Sequence, residues 1–202
     1  MSFTVVTWLK NITWAYELVL FIDNKLTTET CTPPFETQEI GMNLPSVRRI
    51  ITGHDEAGKA IVKIDEVCTH FREGRPGGMV CNVWTTDSSP ANNSKQDDAG
   101  QREGKFTMIE NGTVFRILEF HPGLQERVHR TDTIDYIVVM KGEIDMELET
   151  GEEVHLKAGD VMVQRGTVHN WINRGTEPCL LAVILIHANS VVAGDKVLAA
   201  FG

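Results

Sequence analysis

Residues 123–142, GLQERVHRTDTIDYIVVMKG, set how the rest of the chain is read. They place an imidazole (His129), a hydroxyl (Thr131) and a carboxylate (Asp135) just ahead of an apolar run from Ile137 to Met140. On an extended strand positions i and i+2 face the same way, so Arg127, His129 and Thr131 share a side. Asp135 in turn shares its face with Ile137 and Val139, which sets a carboxylate inside an apolar interior. That placement is costly unless a cation compensates it. A second histidine, His169, follows in GDVMVQRGTVHNWIN. Two histidines and one carboxylate are the ligand set that holds a divalent transition metal with coordination positions left open.

Working outward, the neighbouring segments carry strand patterns. TVFRILEF (113–120) ends at His121-Pro122-Gly123, and EIDMELE (143–149) alternates apolar and acidic residues with the period of a half-exposed strand. Thr150-Gly151 turns it into EVHLK, and Ala158-Gly159-Asp160 turns that into VMVQ. VHNWIN and the apolar CLLAVILIHA follow. Upstream, SVRRIIT and KAIVKIDEV flank the Gly-ended turn 54–58 and predict a hairpin, with His54 as a turn residue. GRPGG (74–78) reads as a break and MVCNVWT (79–85) as another strand. The polar stretch Asp87–Gly104 is a long loop, either a lid or a plain flexible connection. Many short strands with glycine turns predict an all-β barrel or sandwich over 44–202, with helical periodicity only at Lys196–Phe201.

Residues 1–43 differ in character and form an N-terminal extension. A short helix is expected over Trp14–Phe21 and a linker over Thr27–Pro34, the whole being a loosely packed appendage or a dimerisation arm. The apolar run ITWAYELVLFI is too short to span a membrane, is interrupted by Glu17, and lacks the basic flank and cleavage site of a signal peptide. The expected location is cytoplasmic.

Composition bounds the function classes. A chain of 202 residues with 42% hydrophobic and 23% charged residues is one globular domain's worth of sequence. The formal net charge of -9 argues against nucleic acid or anionic membrane as partner. Cys31, Cys68, Cys81 and Cys179 make no Cys-x-x-Cys pair and read as reduced thiols, Cys81 and Cys179 as small core residues.

The motif residues carry a resemblance. Gly123-x5-His129-x-Thr131-x3-Asp135-x6-Gly142 resembles the first motif of the cupin family, G-x5-H-x-H-x3,4-E-x6-G, with every spacing kept and two ligands changed. Gly159, Gly166, His169 and Asn173 match the second motif, with Arg165 in place of its proline and one residue missing before Gly166. The resemblance covers about Ser46–Ala188. It implies a cupin-type double-stranded β-helix, a jelly-roll barrel, with a metal held by His129, Asp135 and His169. Thr131 replaces the family's second histidine, which leaves up to three positions open on an octahedral ion, or leaves a degenerate, metal-free site. Asp is shorter than Glu, so Asp135 is expected to reach the ion either directly or through water. The resemblance also implies a homodimer.

Around this set, Arg127 is a candidate partner for an anionic substrate or a solvated rim residue, and His121 a candidate acid–base group or a plain strand end. Thr131, Trp171 and Trp84 are candidate pocket residues, the tryptophans for stacking an aromatic substrate or simply for core filling. The leading functional reading is a mononuclear iron-dependent oxygenase acting on a small aromatic or phenolic compound, with Fe(II) favoured over Mn, Zn, Ni or Cu. The competing readings are a non-redox metal-dependent decarboxylase, isomerase or lyase, a binding module without turnover, and an empty structural barrel.

Overall fold

The computed structural model describes residues 17–22, 25–30, 45–104 and 106–202. The chain divides into two units, residues 1–43 and 44–202. In the first, β1 (Glu17–Ile22) pairs antiparallel with β2 (Lys25–Thr30), with Ile22 opposite Lys25. The helix expected over Trp14–Phe21 is therefore corrected to strand from Glu17 onward, and the expected linker is strand as far as Thr30. Val19, Phe21 and Ile22, followed by three threonines in β2, favour extended backbone. Trp14, Cys31 and the Pro33-Pro34 pair lie outside the described residues.

The second unit begins with the hairpin β3 (Arg48–His54) and β4 (Ala60–Val67). Then come β5 (Arg72–Arg75), β6 (Gly78–Thr86), a 3-10 turn at Ala99–Gln101, β7 (Thr113–Phe120) and β8 (Thr133–Lys141). β9 (Glu143–Leu148), β10 (Glu153–Lys157), β11 (Val161–Arg165), β12 (His169–Ile172) and β13 (Cys179–His187) follow, and β14 (Val191–Ala193) and β15 (Lys196–Leu198) form a final hairpin. One sheet of six strands runs β11-β8-β13-β7-β6-β5 and a second of three runs β10-β9-β12. From β8 onward the chain passes repeatedly from the larger sheet to the smaller and back, which is the winding of a double-stranded β-helix.

Period-two alternation explains where the core sits. In β8 Thr133, Asp135, Ile137 and Val139 are buried, whereas Tyr136, Val138 and Met140 face outward and are exposed. The inward residues of the large sheet, among them Ile137, Val139, Leu181 and Val183, meet Ile144, Met146, Leu156 and Trp171 of the small one. Each such buried aliphatic contributes about 1.5–3 kcal/mol. Gly142, in the turn between β8 and β9, has φ +77°, and a Cβ there would lie 2.8 Å from the Pro178 carbonyl oxygen. This close approach gives the first motif's final glycine its physical reason.

Three other expectations change. The break at 74–78 contains the end of β5 and the start of β6, joined through Pro76-Gly77. The helical pattern at Lys196–Phe201 is absent: Gly194-Asp195 turns the chain into the β14–β15 hairpin, and Phe201 then bridges Arg130. The loop 87–104 is anchored rather than free, because the buried Arg49 guanidinium donates to both Asp98 oxygens (2.8 and 2.6 Å) and to Glu66 (2.6 Å). It lines a separate cavity with β3 and Trp84 and does not cover the barrel interior.

Candidate functional site

The barrel encloses a cavity of about 400 Å³ whose wall includes Arg127, His129, Thr131, Asp135, His169 and Trp171. Strand pairing alone brings the two histidines together. His129 and His169 form an antiparallel bridge, each backbone N–H donating to the other's carbonyl at 3.1 and 3.0 Å. Their rings stand 4.2 Å apart, centre to centre. The Nδ1 of His129 donates to the Arg127 carbonyl (3.0 Å) and that of His169 to the Thr167 carbonyl (3.1 Å). A carbonyl only accepts, so each Nδ1 carries its ring's proton and each Nε2 keeps its lone pair. This is the tautomer that metal-binding histidines adopt. Burial depresses the pKa of both rings; His169, also beside His129, falls to about 4. Both rings are neutral at physiological pH. Trp171 meets the His169 ring edge-on at 6.0 Å.

Asp135 lines the same cavity, 5% exposed, with Oδ1 buried and without a hydrogen-bond partner. Burial pushes its carboxyl above the ordinary carboxylate range, against the pull of a Thr133 hydrogen bond and the charge of Arg116. Its oxygens do not close with the two imidazoles into a three-donor cluster within 4.8 Å, so the triad does not meet at one point. The residues present fit a cation held by the two Nε2 atoms, with the Asp135 carboxylate, one oxygen of which is unpartnered, offsetting its charge from across the cavity. Thr131 is committed elsewhere: its hydroxyl lies 2.7 Å from that of Thr133.

Two candidates fall away from the cavity. His121 pairs through Nε2 with Glu119 at 2.8 Å and does not line the wall, so its acid–base role has no seat there. Trp84 lines the other cavity because a bulge between Asn82 and Trp84 offsets β6 against β7. Asn173 has a structural task, donating to the carbonyls of Phe120 (2.7 Å) and Glu177 (2.9 Å). His155 pairs with Asp145 at 2.8 Å, and His187 Nδ1 accepts from the Asn111 N–H at 3.0 Å.

Sequence reasoning missed Arg72, Arg75 and Arg116, which also line the cavity. A signal existed for Arg116, since TVFRILEF gives it the parity of Val114, Leu118 and Phe120. Arg75 was hidden in the supposed GRPGG break. The reading of the cysteines also missed a cluster. Cys68, His70 and Cys81 form the one group of three metal-type donors within 4.8 Å among the described residues. Cys81 follows the cavity-lining Val80 and points to the opposite face. Both His70 nitrogens are engaged, by the Asn82 carbonyl (2.8 Å) and the Gln101 amide (3.4 Å). Burial lifts the Cys81 thiol to about 12. Cys68, Cys81 and Cys179 are buried free thiols.

The cupin-domain family profile matches residues 116–185. The chain is 30% identical over 181 residues to the cupin-domain-containing oxidoreductase fogC of Aspergillus ruber, covering 84% of this chain and 89% of that one. It is 38% identical over 138 residues to oryzines biosynthesis cluster protein J of Aspergillus oryzae, covering 65% of this chain and 76% of that one. Among solved structures, the cupin domain of Schizosaccharomyces pombe Cnp3 superposes with a TM-score of 0.45 at 10% identity, over 69% of this chain and 87% of the other. The chain belongs to the cupin family. No helix among the described residues is long and apolar enough to cross a membrane.

Proposed function

We propose that this chain is a metal-dependent oxidoreductase whose reaction takes place in the barrel cavity. Fe(II) is the favoured ion and a small aromatic or phenolic compound the favoured substrate. The observation that carries the reading is the imidazole pair: two neutral rings with both Nδ1 atoms tied to backbone and both Nε2 atoms unclaimed. The redox class is supported by relatives named as cupin-domain-containing oxidoreductases, in Aspergillus ruber at 30% identity and in Neurospora crassa at 31%.

His129 and His169 would hold the ion, and Asp135 would offset its charge. A bound ferrous ion supplies electrons and open coordination positions for dioxygen and a chelating substrate. The chain's own residues do the rest. The Arg127 and Thr167 carbonyls keep both rings in the ligating tautomer. Ile137, Leu118, Phe120 and Trp171 form an apolar wall that excludes water and accepts a flat ring. Asp135 is ionised beside a cation and takes up a proton more readily without one, so it can hold or release a proton at Oδ1.

Oxygen uptake tests the proposal. Protein reconstituted with Fe(II) is expected to consume dioxygen with catechol-like compounds, and His169→Ala to abolish uptake. Turnover of such compounds under argon with Zn(II) or Mn(II) would overturn it in favour of Lewis-acid chemistry.

A further inference from the structure

Four arginines, Arg72, Arg75, Arg116 and Arg127, line the cavity, against two acids, Glu73 and Asp135. The surplus is two positive charges in a chain whose net charge is -9. None of the four makes a salt bridge to an Asp or Glu side chain among the described residues, although Arg116 lies within the field of Asp135; their hydrogen bonds go to backbone. Arg72 donates to the Gly104 carbonyl (2.9 Å), Arg127 to that of Gly202 (2.7 Å) and Arg116 weakly to that of Thr107 (3.4 Å). Arg116 is only 7% exposed, and its Nε has no partner. Arg75 Nη1 is likewise buried without a partner, while its guanidinium lies 5.2 Å over the Phe120 ring. Burial lowers both guanidinium pKa values to about 10, so both remain charged at neutral pH.

Buried cations without a salt bridge are costly, one nearby carboxylate offsets only part of four positive charges, and a buried N–H with no acceptor adds to that cost. An anion entering the cavity would relieve both. We infer that the cavity binds a small organic carboxylate, its head received by Arg116 and Arg127 with Arg75 behind, its apolar body lying against Leu118, Phe120 and Trp171. Guanidinium forks match a carboxylate's two oxygens, and the apolar wall gives a bare inorganic anion nothing to bury. This deepens the proposed function by naming its substrate class. It rests on that reading only for the reaction, since binding needs neither metal nor turnover.

The test is calorimetric titration of chelator-treated, metal-free protein with 4-phenylbutyrate, the neutral 4-phenyl-1-butanol and inorganic phosphate. The acid is expected to bind at least tenfold tighter than the alcohol and to outcompete phosphate. Arg116→Gln and the half-exposed Arg127→Gln should each weaken the acid about tenfold or more and leave the alcohol unchanged. Using both variants guards against one that misfolds, and Arg116→Lys should recover part of the loss. Equal affinity for acid and alcohol, phosphate binding as tightly as the acid, or acid affinity unchanged in both glutamine variants would overturn the inference. Oxygen uptake is not read in this experiment, so its failure leaves the redox reading standing and the converse also holds.

Discussion

At the scale of single residues, buried titratable groups make the sharpest predictions. His169 titrates near 4 in the folded, metal-free protein and near 6.5 when unfolded. Between those values the unfolded chain binds a proton that the folded chain refuses. Stability is therefore lost as pH falls through that window, by up to about 3 kcal/mol. Urea unfolding of the metal-free protein at pH 7 and pH 4.5 should show this extra loss, and His169→Asn should remove it. Asp135 works in the opposite sense. Its raised pKa makes the ionised carboxylate a liability in the empty protein. Asp135→Asn should raise the stability of the metal-free protein by about 1–3 kcal/mol while weakening metal retention. A lower melting temperature in that variant would show that Asp135 has a stabilising partner instead. Thr131→Ala should leave metal binding unchanged, because that hydroxyl is engaged with Thr133. Thr131→His should bind metal more tightly and turn over more slowly.

At the scale of elements, two devices hold the strands in place. Arg49 on β3 is almost fully buried, and its pairs with Asp98 and Glu66 tie the long loop and β4 to it. Arg49→Ala should cost about 3–5 kcal/mol, since it strands the Asp98 carboxylate. Denaturant midpoints measure this, and a loss below about 1 kcal/mol would show the loop to be held by something else. Gly142→Ala should cost about 1–3 kcal/mol from its positive φ and the Pro178 contact. The strands from β7 to β12 were legible because a glycine closes each short run within a few residues, and β13 because it is a short apolar run of β-branched and aliphatic residues. TVFRILEF and EVHLK coincide with β7 and β10 to the residue. The errors came from short or flat signals. Trp14–Phe21 has an apolar spacing that fits a helix, yet β-branched residues and strand pairing extend its described part. β5 has only four residues, all charged or glycine, and shows no alternation of polar and apolar side chains. Side-chain parity brought Arg127, His129, Thr131, Asp135, His169 and Trp171 onto one cavity. Distance across the barrel is not written in parity, so the gap between Asp135 and the imidazoles was invisible, as was the destination of Trp84 beyond its bulge.

At the scale of the whole molecule, the outward face of the large sheet is unusually apolar. Val161 (74% exposed) and Val163 (59%) on the edge strand β11 lie opposite Val138 and Tyr136 of β8, and Met140 extends the patch. An uncovered apolar sheet edge is an aggregation hazard unless another chain occupies it. A second copy of this chain is the proposed occupant, and sedimentation should give a particle of twice the chain mass. Val163→Glu should shift it toward monomer, whereas a wild-type monomer at micromolar concentration would contradict the dimer. The proposed chemistry requires that the two bridged histidines hold a cation near the buried Asp135 carboxylate. Metal content after anaerobic reconstitution of tag-free protein with Fe(II), followed by desalting, tests that most directly. The prediction is about one equivalent of iron per chain for the wild type and under a tenth for His169→Ala. Equal retention by both proteins, or under a tenth in the wild type, would contradict it.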